Sequence, residues 1–402
     1  MNIMQKNRKN LIYFLCYFAY ASIYIARLNL SVATPLLRDT HILSTEQIGY
    51  LGTAFSVVYA FGRLLNGVKS DTVQPKIMIS IGLALCFFAN LGMGILPPFF
   101  GMLLFWCVNA FAQSMLWSSV LRFINYIYRD DEARLTRLSV MVSSVATGNV
   151  LGILICTWII EKTNLRMAFF IPGCITLVLG ALVFLMFPQI TDESKSTARR
   201  SGIKEIFGQL RNLLSDEEIR TAAFPSLLHG IIKDNVTLWM VVYFADTFRI
   251  DLSNIAGYVL FIPIVGFAAR MIYPYLLIRC GNDEHRVSIF SFFGCIACSL
   301  CIVFSKNPIL SVVCLSLIYS FMSLVNSSML SIFPVRFDAR GCSASVSGIM
   351  DFCTYLGNGI GSLFYGIIIS RLGFSSMFLS WIAVSLIAVM ILTKLESHKA
   401  PK

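Results

Sequence analysis

Charge is scarce in this chain. Only 13% of its 402 residues are Asp, Glu, Lys or Arg, and 57% are hydrophobic. Soluble domains run near a quarter charged, so a soluble globular fold is excluded. Enzyme signatures are missing too: there is no Walker loop, no Ser-His-Asp set and no zinc-ligand spacing. That argues against ATP hydrolysis and against an enzyme. The tightest group among the 12 cysteines is Cys295, Cys298 and Cys301, and it lacks a fourth ligand and a loop context. It reads as apolar cysteines buried in a helix instead of an iron–sulfur site. No cofactor and no metal are expected. No small-residue cleavage site follows the cationic start Lys6, Arg8, Lys9, so the first apolar run reads as an uncleaved helix and not as a signal peptide.

What fills the chain is apolar runs. A helix needs about 20 apolar residues to cross the hydrocarbon of a bilayer. Such runs lie near 11–37, 46–68, 76–96, 100–127, 138–160, 167–187, 222–247, 254–278, 287–305, 308–333, 342–370 and 373–393. The expected fold is all-α and integral to a membrane: twelve transmembrane helices in two pseudo-symmetric six-helix bundles, residues 1–187 and 222–402. A cytoplasmic linker, 188–221, joins them. Within it Ile203, Ile206, Phe207, Leu210, Leu213 and Leu214 keep helical spacing beside Lys204 and Arg211, which reads as a basic amphipathic helix at the membrane surface.

The net charge of +11 is a matter of topology and does not signal nucleic-acid binding. With both termini inside, the external loops hold only Arg38, Lys162, Arg166, Arg249, Lys306 and Arg371. The remaining loop and terminal cations fall on the cytoplasmic side, as the positive-inside rule requires. The expected location is a bacterial-type inner membrane, with the lipid bilayer as surroundings and a monomer as the working unit.

The two halves repeat each other. Lys233 follows Arg27 by 206 positions, and Arg270 follows Arg63 by 207. Ser114-Met115-Leu116 with Arg122-Phe123 returns 214 positions later as Ser328-Met329-Leu330 with Arg336-Phe337. Gly148-Asn149-x-x-Gly152 returns 209 positions later as Gly357-Asn358-x-x-Gly361. Parallel repeats of this kind place a substrate site near the midplane at the repeat interface. The glycines, with Ser139, Ser143, Ser345 and Gly348, mark close helix approach.

Charges inside the apolar runs carry the chemistry. A cation at bilayer depth costs roughly 2.5–3.5 kcal/mol on insertion scales. On the first span Tyr20, Tyr24 and Arg27 fall at i, i+4 and i+7, on one face. On the second, Tyr59 and Arg63 are one turn apart. Arg63 lies either in a cavity or toward the interface. On the seventh, Lys233 is followed by Asp234. Adjacent helical residues diverge by about 100°, so Lys233 can face a cavity while Asp234 pairs elsewhere, with a structural pair as the alternative. His229 lies one turn before Lys233, as a packing residue or a titrating one. On the eleventh, Asp351, one turn before Tyr355, reads as a counter-ion or a proton-coupling carboxylate. Arg122, Arg270 and Arg336 read as anchors near span ends. Three basic groups with tyrosines suit a compact polyanion, and a phosphate ester uses them better than a monocarboxylate does.

These motifs resemble the major facilitator superfamily. Gly67-Val-Lys-Ser-Asp71-Thr-Val-Gln-Pro75-Lys76 is similar to its signature loop, with Thr72 in place of the usual Arg. The resemblance assigns Gly67 and Asp71 to a conformational loop. Nearly the whole chain also resembles the organophosphate:phosphate antiporters. Tyr20, Tyr24, Arg27, Tyr59, Arg63, Gln113, Trp117, Trp239, Tyr243 and Tyr355-Leu356-Gly357 match that family's pattern, and Lys233 stands where it has a second phosphate-binding Arg. The fifth-helix His position holds Val145, and Asp351 is an added acid. The resemblance implies transport of a phosphorylated metabolite by alternating access, in exchange for phosphate. Arg27, Lys233, Arg63, Tyr20, Tyr24, Tyr59, Trp117 and Tyr355 then bind substrate, and Asp351 and Asp234 serve as coupling or counter-ion groups. Arg27-x-Asn-Leu-Ser-Val-Ala33 is also similar to the anion:cation symporters, which keeps a proton-coupled carboxylate symporter as an alternative. A transporter-like sugar-phosphate sensor is another.

Overall fold

The structure, a computed structural model, describes residues 3–128, 137, 140–141, 143–190, 212–305, 307–340 and 343–397. Among these there are thirteen α-helices and no strand. They are α1 (Ile3–Asp39), α2 (Thr45–Thr72), α3 (Pro75–Gly94), α4 (Phe99–Ser114), α5 (Leu116–Ile127), α6 (Ser144–Lys162) and α7 (Met167–Met186). Then follow α8 (Glu217–Phe248), α9 (Leu252–Arg279), α10 (Glu284–Phe304), α11 (Pro308–Ser327), α12 (Ser343–Leu372) and α13 (Phe374–Ser397). Of the expected linker helix, Ile203, Ile206, Phe207 and Leu210 lie outside the described residues. Leu213 and Leu214 sit in a short helical turn before α8.

Local chemistry sets the helix starts. Pro75 opens α3 and Pro308 opens α11, where a missing N–H costs nothing. Asn307 caps α11 by accepting from the N–H groups of Ile309 and Leu310. Asp216 caps α8 in the same way, accepting from Glu218 at 3.0 Å and Ile219 at 3.5 Å. Among the described residues, eleven stretches are long and apolar enough to cross a membrane. The twelfth expected span, α8, has 32 residues but falls short in apolarity. His229, Lys233, Asp234 and Asn235 interrupt its middle, so it deviates because it carries candidate functional groups.

The chain forms two compact units: Met1–Ser44 with Val58–Ala198, and Thr45–Val57 with Arg199–Lys402. In the first, Tyr20 and Ile23 of α1, Leu83 of α3, Leu116 and Phe123 of α5 and Val183 of α7 share one apolar core. A methyl group on Gly148 of α6 would collide with the Ala21 carbonyl of α1, and one on Gly152 would lie 3.2 Å from the Ile25 Cα.

The second unit repeats this contact. A methyl on Gly357 of α12 would strike the Leu227 carbonyl of α8, and one on Gly361 would lie 2.6 Å from the Ile231 carbonyl. The first half of α2 packs here as well. Thr53 Oγ1 donates to the Gly359 carbonyl at 2.9 Å, and Asn358 Nδ2 donates to Ser56 Oγ at 2.7 Å.

The other repeated words mark matching irregularities. The fourth span breaks at Met115 into α4 and α5, beside Ser114, whose Oγ donates to the Phe111 carbonyl at 2.6 Å and accepts from Asn66 at 2.8 Å. In the second unit, α11 gives way at Ser328 to a π turn (Ser328–Ile332) and then a 3₁₀ segment (Phe333–Arg340) containing Pro334.

Arg122 donates to the carbonyls of Ser70 and, at 3.0 Å, Val73, and so satisfies backbone groups at the end of α2. The sequence reading puts a loop at Gly67–Lys76, whereas helix α2 runs on to Thr72. Gly67 and Asp71 lie in the last turns of α2, and only Val73 and Gln74 separate it from α3. Gln74 fastens that short joint by bonding both backbone groups of Ile190, each at 3.0 Å.

Candidate functional site

In the first unit, α1 and α2 bring the sequence-derived residues together. The ring of Tyr59 is buried. The guanidinium carbon of Arg27 lies 5.7 Å from its centroid and that of Arg63 lies 5.8 Å from it. Two cations thus share one aromatic ring, a favourable arrangement that also confines their heads. Tyr20 and Tyr24 follow on α1, their hydroxyls 3.4 Å apart and their rings edge to face at 5.6 Å. Trp117 of α5 packs on Tyr20 at 4.9 Å between centroids. Arg27, Arg63, Tyr24 and Trp117 are half-buried, so the cluster has an accessible side.

No acidic residue occurs in segments 3–38, 47–70 or 75–127. The helices that build this cluster therefore carry positive potential with no carboxylate of their own near it. Charge interactions strengthen as water is excluded, so an anion gains more here than it would at an exposed Arg pair.

In the second unit the structural pair, given above as the alternative for Lys233 and Asp234, is the one observed. Lys233 Nζ lies 3.5 Å from Asp234 Oδ1, both half-buried. The divergence of neighbouring helical side chains does not separate them, because the four-carbon stem of Lys reaches around the helix. Asp234 is thus a counter-ion to Lys233. Trp239 and Tyr243, part of the matched pattern, are packing residues: Trp239 is buried, and Tyr243 stands among Phe374 and Phe378 at 5.3 and 5.1 Å with its hydroxyl 3.1 Å from Ser311. Asp351 and Tyr355 are half-buried on α12. His229 is fully buried.

Arg336 lies at a helix junction as expected, but it does more than anchor. Its guanidinium meets Glu284 at 2.5 Å, Glu218 at 3.2 Å and Asp283 at 3.9 Å, which ties the starts of α8 and α10 to the 3₁₀ segment. Arg340 meets Asp216 at 2.8 Å. Desolvation pushes the Asp216 carboxyl up, but the Arg340 hydrogen bond and the two capped N–H groups outweigh it and hold it below the usual range. Among the described residues, Asp283, Glu284 and His285 are the one group whose donor atoms all lie within 4.8 Å of one another. Arg336 already sits among these carboxylates, which makes the group an ion-pair cluster. Arg270, read as a span-end anchor, lies well inside α9, with a buried Nε that has no hydrogen-bond partner. Cys295 and Cys298 are buried as expected, whereas Cys301 is exposed.

Sequence reasoning missed the buried amides Asn90, Asn109 and Asn235, and met Asn29 and Asn358 only as letters of longer motifs. Each stands in an apolar run, and that placement was an available signal.

The family model described as Major Facilitator Superfamily matches residues 16–347. The chain is 24% identical over 240 residues to the "Probable hexose phosphate transport protein" of Chlamydia trachomatis, covering 58% of this chain and 52% of that one. It is 20% identical over 405 residues to the "Glycerol-3-phosphate transporter" of Bacillus subtilis, covering 94% of this chain and 89% of that protein. This chain spans about half the length of the first curated relatives it matches, between 46% and 52%. The crystal structure of the nucleoside transporter NupG superimposes with a TM-score of 0.78 at 15% identity, covering 98% of this chain and 100% of that one. That likeness concerns the fold. The all-α membrane architecture, the internal repeat and the family match agree, and they fit a transporter and not an enzyme: the chain belongs to the major facilitator superfamily.

Proposed function

We propose that this chain moves a small phosphorylated organic anion, such as a sugar phosphate or glycerol phosphate, across a bacterial-type inner membrane by alternating access, in exchange for inorganic phosphate. The observation that carries the reading is the pair Arg27 and Arg63 on the ring of Tyr59, in helices free of nearby acids. A phosphate monoester carries close to two negative charges at pH 7. Arg27 offers a fork that bonds two phosphate oxygens at once, and Arg63 adds positive potential. Tyr20, Tyr24 and Tyr59 confine the anion with rings and hydroxyls, and Trp117 meets its organic part; Tyr355 is proposed as a substrate contact of the second unit. Lys233 supplies a further cation, held against Asp234 until the anion competes for it. Asp351 serves as a counter-ion. Gly67 and Asp71 are proposed to take part in the conformational change. The working unit is a monomer with both termini cytoplasmic, and residues 1–187 and 222–402 are the two bundles of the transport cycle.

The relatives named for hexose phosphate and glycerol-3-phosphate transport support the substrate class. The test is uptake of radiolabelled glycerol 3-phosphate and glucose 6-phosphate into proteoliposomes loaded with inorganic phosphate or held under a proton gradient. Stimulation by internal phosphate is expected. Stimulation by the proton gradient alone would overturn the exchange reading in favour of a symporter that uses Asp351, and binding without counterflow would favour a sensor.

A further inference from the structure

Four of the amide side chains buried in the first unit meet one another: Asn29 on α1, Asn90 on α3, and Asn109 and Gln113 on α4. A buried amide without a partner costs roughly 1–3 kcal/mol in proteins. These four satisfy one another. Asn29 Nδ2 donates to Asn90 Oδ1 at 2.7 Å. Asn90 Nδ2 donates to the Cys86 carbonyl at 2.9 Å and reaches Asn109 Oδ1 at 3.5 Å. Gln113 Nε2 donates to that same Asn109 oxygen at 3.2 Å. The oxygen of Asn109 is thereby occupied, and its amide nitrogen donates to the Ala26 carbonyl on α1 at 3.0 Å.

That carbonyl belongs to the peptide unit joining Ala26 to Arg27. The N–H of Leu30, which an α-helix directs at residue 26, donates to Asn29 Oδ1 at 2.8 Å. Side-chain amides therefore attend both groups of the helical rung that encloses Arg27. Other contacts to this stretch come from α6, where Gly148 and Gly152 let the backbone of α1 come close. The turn bearing Arg27 is thus fixed by packing on α6 and by hydrogen bonds leading back to α3 and α4.

We infer that Asn109 is a positioning residue for Arg27: its bond to the Ala26 carbonyl sets the peptide plane from which the Arg27 side chain departs. The inference rests on the reading of Arg27 as an anion-binding group. A long side chain aims its guanidinium reproducibly only when its backbone is held, and lost preorganisation appears as weaker binding.

Asn109→Leu keeps the approximate volume and removes the donor, and Asn109→Ser is the fallback if the Leu variant does not fold. Two readouts separate positioning from general structural loss. In proteoliposomes exchanging radiolabelled inorganic phosphate, Asn109→Leu is expected to raise KM about tenfold with kcat within about twofold, the worth of one well-placed hydrogen bond. In an Arg27→Lys background the same change is expected to add less than about twofold, since coupled residues are not additive. Separately, phenylglyoxal modification of purified protein is followed at each Arg by peptide mass spectrometry. The rate at Arg27 is expected to change by at least about threefold in Asn109→Leu, with the rate at Arg63 unaltered. An unaltered rate at Arg27 overturns the inference whatever the transport assay gives, and so does a loss confined to kcat. A changed rate at Arg27, in a protein whose phosphate exchange survives Arg27→Ala, upholds the positioning and overturns the anion-site reading instead.

Discussion

Arg27 stands over the ring of Tyr59, its guanidinium carbon 5.7 Å from the centroid. The face of the ring makes this contact. Tyr59→Phe is therefore expected to leave KM for the transported anion within about threefold, whereas Tyr59→Leu, which removes the π face, is expected to raise it about tenfold. Initial rates of exchange measure both. Equal effects of the two variants would assign Tyr59 a hydroxyl role.

Arg63 shares that ring at 5.8 Å, so charge alone does not describe either cation. Arg27→Lys keeps the charge and loses the fork. It is expected to weaken anion binding by about tenfold or more, and Arg63→Lys by less, because Arg63 acts through potential. Competition by inorganic phosphate for labelled substrate gives the comparison.

Gly357 meets the Leu227 carbonyl so closely that a methyl group does not fit, while a methyl on Gly348 of the same helix would meet nothing within 4 Å among the described residues. Overpacking costs typically 1–3 kcal/mol. Gly357→Ala is expected to lower the unfolding temperature of detergent-solubilised protein by several degrees, and Gly348→Ala is expected to leave it unchanged. A stable Gly357→Ala protein would mean that the α8–α12 contact gives way easily.

Asp216 is held below its usual range mainly through Arg340 and the two N–H groups at the start of α8, against its desolvation. A depressed folded-state pKa adds stability above the unfolded value of about 3.9 and loses it as pH falls through the folded one. Asp216→Asn is therefore expected to lower the unfolding temperature at pH 7, with the gap to wild type closing below pH 4. Thermal unfolding across pH checks this, and a gap independent of pH would leave only the neutral cap.

Much of the fold was legible because membrane helices announce themselves by length and apolarity, and because the repeats mark real features. Ser114 and Ser328 stand at the helix irregularities of the two units, and Gly148 and Gly357 stand at close helix contacts. The α1 stripe of Tyr20, Tyr24 and Arg27 was legible from the helical period, and the ring contacts with Trp117 and Tyr59 follow from it. The Lys233–Asp234 pair was legible as one of two alternatives, and the flexible Lys stem decides for it. Two things were not legible. The end of α2 depends on Arg122, which is distant in sequence. The Asn29–Asn90–Asn109–Gln113 ladder depends on three helices meeting, and each amide looks isolated within its own run.

The central claim is that Arg27 binds the transported anion. The direct measurement is phosphate-driven exchange of glycerol 3-phosphate in proteoliposomes holding equal amounts of wild-type and Arg27→Ala protein. Loss of exchange by about a hundredfold or more, with membrane insertion and unfolding temperature unchanged, is the expected result, since a charge-assisted bidentate contact is worth several kcal/mol. Exchange at the wild-type rate in Arg27→Ala would contradict it.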